Sequence, residues 1–202
     1  MTRFVVTGTD TGIGKTIFSA ALAQATGVPY WKPIQSGLEE ESDSETVARL
    51  ADVPIHPETY RLVTPASPHF AAEIDGVNIE LETLAPPLGD LIVESAGGAL
   101  VPVTRTTLYA DLFAAWQFPV IVCARTALGT INHRLLTIEA LRARGVPIHG
   151  LAFLGHAVED SEAIIAEISG VRRLGRLPII DSLTSEALTK AFDANFDLAD
   201  FR

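Results

Sequence analysis

A single cysteine, Cys123, stands in the whole chain, inside the apolar run Pro119-Val120-Ile121-Val122-Cys123-Ala124. One buried thiol excludes an intramolecular disulfide and suits a reducing compartment. Long hydrophobic runs are missing too, and none approaches the length that crosses a bilayer. Met1-Thr2-Arg3 leads straight into a β-branched stretch, so no signal peptide is expected. Positive charge is scarce: 15 Lys and Arg stand against 25 Asp and Glu, for a net charge of −10. That balance argues against a nucleic-acid partner or an anionic-membrane surface, although a local basic pocket can still hold phosphate. Repeats and low-complexity linkers are absent, and apolar residues are spread along the chain at 48%, which speaks against disorder. A length of 202 residues is enough for one domain with a sizeable core. The expectation is a cytoplasmic protein.

What is present is concentrated first at the amino end. Phe4-Val5-Val6-Thr7 is a short apolar run that ends in Gly8-Thr9-Asp10-Thr11-Gly12-Ile13-Gly14-Lys15-Thr16. Ile17, Ala20, Ala21 and Ala25 then fall near one face of a helix. Strand, glycine loop and a helix opening at Lys-Thr make the plan of a phosphate-binding P-loop. Glycines let backbone N–H groups turn inward around an oligophosphate, and the helix N-terminus adds positive potential. Lys15 is placed to reach the outer phosphates, and Thr16 to offer its hydroxyl to Mg²⁺. Five residues separate Gly8 from Gly14, one more than in the regular pattern. A glycine-rich turn without a ligand is the alternative.

Further along, Val28-Pro29-Tyr30-Trp31-Lys32-Pro33-Ile34 reads as a short strand running into Gln35-Ser36-Gly37. Lys32 sits near its end, where ligands of open α/β sheets gather. A solvent-facing lysine of little packing value is the other reading. Ser42-Asp43-Ser44-Glu45 looks like a capping box opening a helix through Leu50. Asp43 either complements that helix dipole or places a carboxylate near a metal. Residues 53–69 read as a long loop, with Ser67 as cap and Pro68 opening the next helix, and His69 as a structural residue. Ile79–Ala85 is a weakly patterned helix stopped by Pro86-Pro87.

Asp90-Leu91-Ile92-Val93-Glu94-Ser95-Ala96-Gly97-Gly98 is a strand that ends in an acid and breaks into small residues. P-loop proteins put an acid there that helps hold the metal, and the glycines suggest close approach of a ligand. Leu108–Trp116, Ser161–Ile168 and Ser185–Ala194 read as helices, as does the segment from His133 through Arg144. Val120–Ala124 and Ile148–Leu154 read as strands, and Gly170–Pro178 as a last strand and turn. Thr130 is a candidate N-cap, and N–H groups over Gly129–Asn132 are either capped or free for an anion. Strands alternating with helices predict an α/β fold: one P-loop NTPase-like domain over residues 1–202, its mainly parallel sheet covered by helices on both faces.

In this order the segments resemble the dethiobiotin synthetases, ATP-dependent enzymes of biotin biosynthesis. The likeness runs nearly end to end. It rests on Gly8–Thr16, whose extra loop residue is the family's own variation, and on Lys32-Pro33-Ile34-Gln35-Ser36-Gly37, Ser42-Asp43 and Ser67-Pro68-His69. Val93-Glu94-Ser95-Ala96-Gly97-Gly98, Leu128-Gly129-Thr130-Ile131-Asn132-His133 and Gly175-Arg176-Leu177-Pro178 complete it.

The resemblance implies ATP and Mg²⁺ as cofactors, and 7,8-diaminononanoate and CO₂ as substrates. It implies that Lys15 and Lys32 are catalytic, and that Thr16, Asp43 and Glu94 surround the metal. Gly12, Ile13, Gly14, Lys15, Thr16, Ile17, Asp43, Glu94, Ser95, Ala96 and Gly97 would line the nucleotide, with Leu154, Gly155, Leu177, Pro178 and Ile179 at its base. Thr11 and Ser36 would touch the substrate. Leu128, Gly129, Thr130 and Asn132 would hold its carboxylate from the neighbouring subunit of a homodimer. Ser95 stands where the family usually has glycine, and Leu154 where some members have an asparagine that reads the base. Two rivals are a nucleotide-switch ATPase of the partitioning type and a non-catalytic nucleotide-binding module. The former normally carries an additional lysine near the start of its loop, where this chain has Gly8-Thr9-Asp10-Thr11-Gly12.

Overall fold

The computed structural model describes residues 1–126 and 129–202. Along the chain run β1 (Arg3–Gly8), α1 (Lys15–Thr26), β2 (Tyr30–Trp31), β3 (Ile34–Ser36), α2 (Asp43–Leu50), β4 (Ile55–His56), β5 (Tyr60–Leu62), α3 (Pro68–Asp75), β6 (Leu91–Gly98), α4 (Tyr109–Trp116), β7 (Val120–Arg125), α5 (Thr130–Arg142), β8 (Ile148–Leu154), α6 (Glu159–Ser169), β9 (Arg173–Leu177) and α7 (Ser185–Asn195). Among the described residues, seven strands form the main sheet in the order β4-β2-β6-β1-β7-β8-β9. Every pairing in it is parallel. The expected fold class stands.

Period-2 alternation explains why both faces are covered. In β1, Phe4 and Val6 enter the core beneath α1 and α7 with Phe18, Leu22, Leu188 and Phe192, whereas Val5 enters the opposite core with Tyr109, Phe113, Ile138 and Leu141. Ile121 and Cys123 likewise share the first face, and Val120 and Val122 the second. Strands buried on both sides read as continuous apolar runs, which is why β1, β6, β7 and β8 are visible in the sequence. No helix is long and apolar enough to cross a membrane among the described residues.

The differences from expectation lie in the short elements. The strand expected over Val28–Ile34 is two strands in different sheets. Tyr30 and Trp31 pair with β6 and β4 in the main sheet, while β3 pairs with β5 in a separate two-stranded ribbon. Pro33 lies at the break; it has no N–H to continue a ladder, though its carbonyl still accepts from Tyr60 N at 3.1 Å. The supposed loop of residues 53–69 therefore contains β4 and β5, of two and three residues, too short to show a period. Ile79–Ala85 yields only a 3₁₀ turn, Leu81–Leu84. Thr130 is not a cap: Gly129 holds that position in the left-handed region at φ 87°, and Thr130 opens α5.

Candidate active site

The carboxyl ends of β1, β2 and β6 converge on one cavity. The loop after β1 folds back so tightly that a Cβ on Gly8 would stand 3.1 Å from Lys15 Cδ and meet the Ile13 side chain as well. Gly14 caps α1 at φ 99°, a conformation that L side chains rarely adopt. Lys15 turns back across the loop and donates to the Asp10 carbonyl at 2.9 Å. Burial lowers its pKa; the charge of Glu94 opposes that and the charge of Lys32 adds to it.

Thr16, in the first turn of α1, donates to Asp43 Oδ1 at 2.8 Å or Glu94 Oε1 at 2.9 Å. Lys32, at the break between β2 and β3, is only 3% exposed. Its ammonium pairs with Asp43 Oδ2, with Glu94 Oε1 at 3.3 Å, and with the Ser95 carbonyl at 3.2 Å. Burial alone would lower its pKa, but the charges of Glu94 and Asp43 and the bond to Asp43 reverse this and raise it. For Asp43, burial pushes up, yet the charge and hydrogen bond of Lys32 hold its carboxyl below the usual range.

Asp43 is free for this task because Ser42 and Glu45 satisfy the cap of α2 through a complete capping box. The Asp43 N–H meanwhile donates to Gln35 Oε1 at 3.2 Å, tying α2 to β3. Glu94 is fully buried, and its second oxygen, Oε2, accepts from the Tyr30 phenol at 3.0 Å. Ser95 sits in the strand with no positive φ, so glycine is not required, and its hydroxyl donates to Thr7 Oγ1 at 2.9 Å.

The cavity, about 540 Å³, is lined by Thr11 to Thr16, Lys32, Gln35, Ser36, Asp43, Pro65 to Pro68, Glu94, Ala96, Gly97 and Val101. Ser36 Oγ is buried there without a hydrogen-bond partner among the described residues, a polar atom of the kind a ligand satisfies. A second cavity of about 500 Å³ shares Gly12, Ile13 and Gly14 and continues past Ile17, Leu154, Gly155, Leu177, Pro178 and Ile179. The residues expected at the nucleotide base are thus brought together. Arg125, Thr126, His156 and Leu183 line it too, and sequence reasoning missed them. Arg125 projects from the end of β7 and donates to the Gly12 carbonyl.

In this second cavity the Leu154 carbonyl accepts from Thr126 N at 3.0 Å and Gly155 N donates to Leu177 O at 3.0 Å. Gly129, Thr130 and Asn132 line neither cavity. Gly129 and Asn132 are exposed at the start of α5, and Thr130 donates to the Arg125 carbonyl at 2.7 Å. Leu128 lies outside the described residues.

No group of three His, Cys, Asp or Glu side chains forms a metal site among the described residues. The oxygen donors at Thr16, Asp43 and Glu94 are one hydroxyl and two carboxylates. That hard donor set suits a Mg²⁺ ion that keeps several waters and shares its shell with phosphates.

A family model described as an AAA domain matches residues 2–187. The chain is 79% identical to the ATP-dependent dethiobiotin synthetase of Sphingopyxis alaskensis, over the full length of both. It is 63% identical to that of Novosphingobium aromaticivorans, again over both full lengths. For the Agrobacterium fabrum enzyme the identity is 58%, covering 98% of this chain and 96% of that one. Among solved structures, a ParA family ATPase of Chlorobium tepidum superposes with a TM-score of 0.55 at 12% identity, covering 96% of this chain and 92% of that one. The cell division ATPase MinD of Pyrococcus furiosus gives 0.55 at 14% identity, covering 96% and 98%. Those two likenesses concern the fold alone.

Proposed function

The chain belongs to the ATP-dependent dethiobiotin synthetase family, and from that premise we propose how its own residues divide the work. The reaction joins 7,8-diaminononanoate, CO₂ and ATP into dethiobiotin, ADP and phosphate. One substrate amine takes up CO₂ as a carbamate, and a carbamate oxygen attacks the γ-phosphoryl group. The second amine then closes the ureido ring on the mixed anhydride as phosphate leaves.

Carbamate and triphosphate are both anionic, so their approach demands concentrated positive charge. Lys15 and the loop N–H groups bind the phosphates. Lys32, buried between the two acids, supplies the charge that stabilises the transferring group. Thr16, Asp43 and Glu94 would hold Mg²⁺, which when bound would supply positive charge against the phosphates. Thr11 and Ser36 touch the diamine, whose two amines must be held in line for attack. Leu128, Gly129, Thr130 and Asn132 of a neighbouring subunit hold its carboxylate in a homodimer, which suits the exposed start of α5. The compartment is the cytoplasm. The observation that carries this reading is the convergence of Lys32, Thr16, Asp43 and Glu94 on the cavity beside the phosphate loop.

ADP formation is expected to require both the diamine and bicarbonate. A coupled assay omitting each in turn checks it, and equal turnover with both omitted would favour a switch ATPase. Loose discrimination among bases is a second expectation. Leu154 offers the base no polar side chain, and both its carbonyl and the Gly155 N–H already have backbone partners. Buried polar readers can discriminate by about 10⁴-fold, so apolar packing here should prefer ATP over GTP or CTP by no more than about 10²-fold in kcat/KM. Measuring the three triphosphates at saturating diamine decides it. A preference near 10⁴-fold would mean that Arg125, Thr126 or His156 reads the base.

A further inference from the structure

We propose that Tyr30 is a positioning residue for phosphoryl transfer, its phenol pinning one oxygen of Glu94 so that the other faces Thr16 and Lys32. The two carboxylate oxygens are divided cleanly. Oε2 accepts from the phenol at 3.0 Å, whereas Oε1 lies 2.9 Å from the Thr16 hydroxyl and 3.3 Å from the Lys32 ammonium. The last torsion of a glutamate is broad and roughly two-fold, so packing alone selects an orientation weakly. A directional donor on one oxygen removes that freedom.

Tyr30 is itself held without freedom. It is fully buried, paired in register with Ile92 of β6, and packed in the core beneath α1 and α2. A phenylalanine would fill the same core volume. A hydroxyl there carries a desolvation cost that its bond to Glu94 offsets. The phenol O–H is the donor and the carboxylate the acceptor of that bond. The bond spans the sheet between residues 64 apart, so no local motif announces it.

This inference rests on the proposed role of Glu94 at the metal side of the site, and the test separates the two. Tyr30→Phe is compared with Glu94→Gln in two measurements: the Mg²⁺ concentration for half-maximal ADP formation, and Mn²⁺ binding followed by electron paramagnetic resonance with a non-hydrolysable ATP analogue. Outer-shell partners of metal ligands are worth about 10–100-fold in metal affinity. Tyr30→Phe should weaken both readouts by about 10-fold, leave the KM for the diamine unchanged, and be rescued by excess Mg²⁺. Should Glu94→Gln shift both readouts while Tyr30→Phe shifts neither, the positioning role is overturned and the reading of Glu94 stands. If Glu94→Gln shifts neither, both fall together. A Tyr30→Phe protein that does not fold would also overturn the proposal, because the hydroxyl would then be structural.

Discussion

Lys32→Ala is expected to lower kcat by about 10²-fold or more, the scale lost when one preorganised charge or donor is removed from a transition state. The same substitution should also destabilise the fold, contrary to what a strand-end lysine suggests from sequence. Lys32 is 3% exposed and bridges two acids, one of them fully buried. Removing one partner of a buried ion pair costs about 3–5 kcal/mol. Asp43 retains 31% side-chain exposure and can turn toward water, which places the cost near the lower end. At roughly 3 kcal/mol the melting temperature should fall by about 6–12 °C for a chain of this size. Assays well below that melt, with circular dichroism as a control, separate lost chemistry from lost fold. A fully active Lys32→Ala protein would refute the catalytic role.

The second large effect concerns the two carboxylates. Glu94→Gln and Asp43→Asn each keep the shape of the side chain and remove its charge. Each should raise the Mg²⁺ concentration for half-maximal activity by at least about 10-fold, the lower bound for changes in a metal's surroundings. Glu94→Gln should be the more severe, because that side chain is fully buried whereas Asp43 retains 31% side-chain exposure. Asp43 offers an internal control. A residue that only complements a helix dipole contributes roughly 0.3–1 kcal/mol of stability and has no bearing on metal dependence. An Asp43→Asn protein with a small loss of stability and an unchanged Mg²⁺ titration would return Asp43 to that simpler role.

The site was legible where chemistry is written in consecutive residues. The glycine loop with Lys15 and Thr16 carries a local pattern that implies its geometry, and the acid after an apolar run was visible too, although the strand does not end there: β6 continues past Glu94 to Gly98. Asp43 was ambiguous because a capping box and a metal-side acid share the same short stretch; only the fold shows that Ser42 and Glu45 complete the cap without it. Lys32 could be placed at a strand end but not buried, because burial depends on Asp43 and Glu94 arriving from other elements. Tyr30 was hidden for a related reason. An aromatic residue in an apolar run reads as core, and core it is, with a hydroxyl bonded to Glu94. β4 and β5 were too short to show alternation. The far wall of the second cavity gathers Arg125, His156 and Leu183 from three separate loops and strand ends, with no shared spacing to connect them.

The register between β1 and β6 carries a consequence for folding fidelity. Val6 lies beside Glu94 and Val5 beside Val93, so the acid shares a face with Ile92 and points toward α1, while Ser95 reaches Thr7 on the other face. A slip of one residue would exchange those faces, burying the Glu94 carboxylate in the core with Tyr109 and Phe113 and turning Val93 toward α1. Such a slip also misplaces every apolar residue of the strand, so the hydrophobic pattern itself proofreads the position of the acid. The facing of Glu94 is thereby not a separate event that can fail after the sheet has formed. A chain that closes this sheet in register has already aimed Glu94 at Thr16.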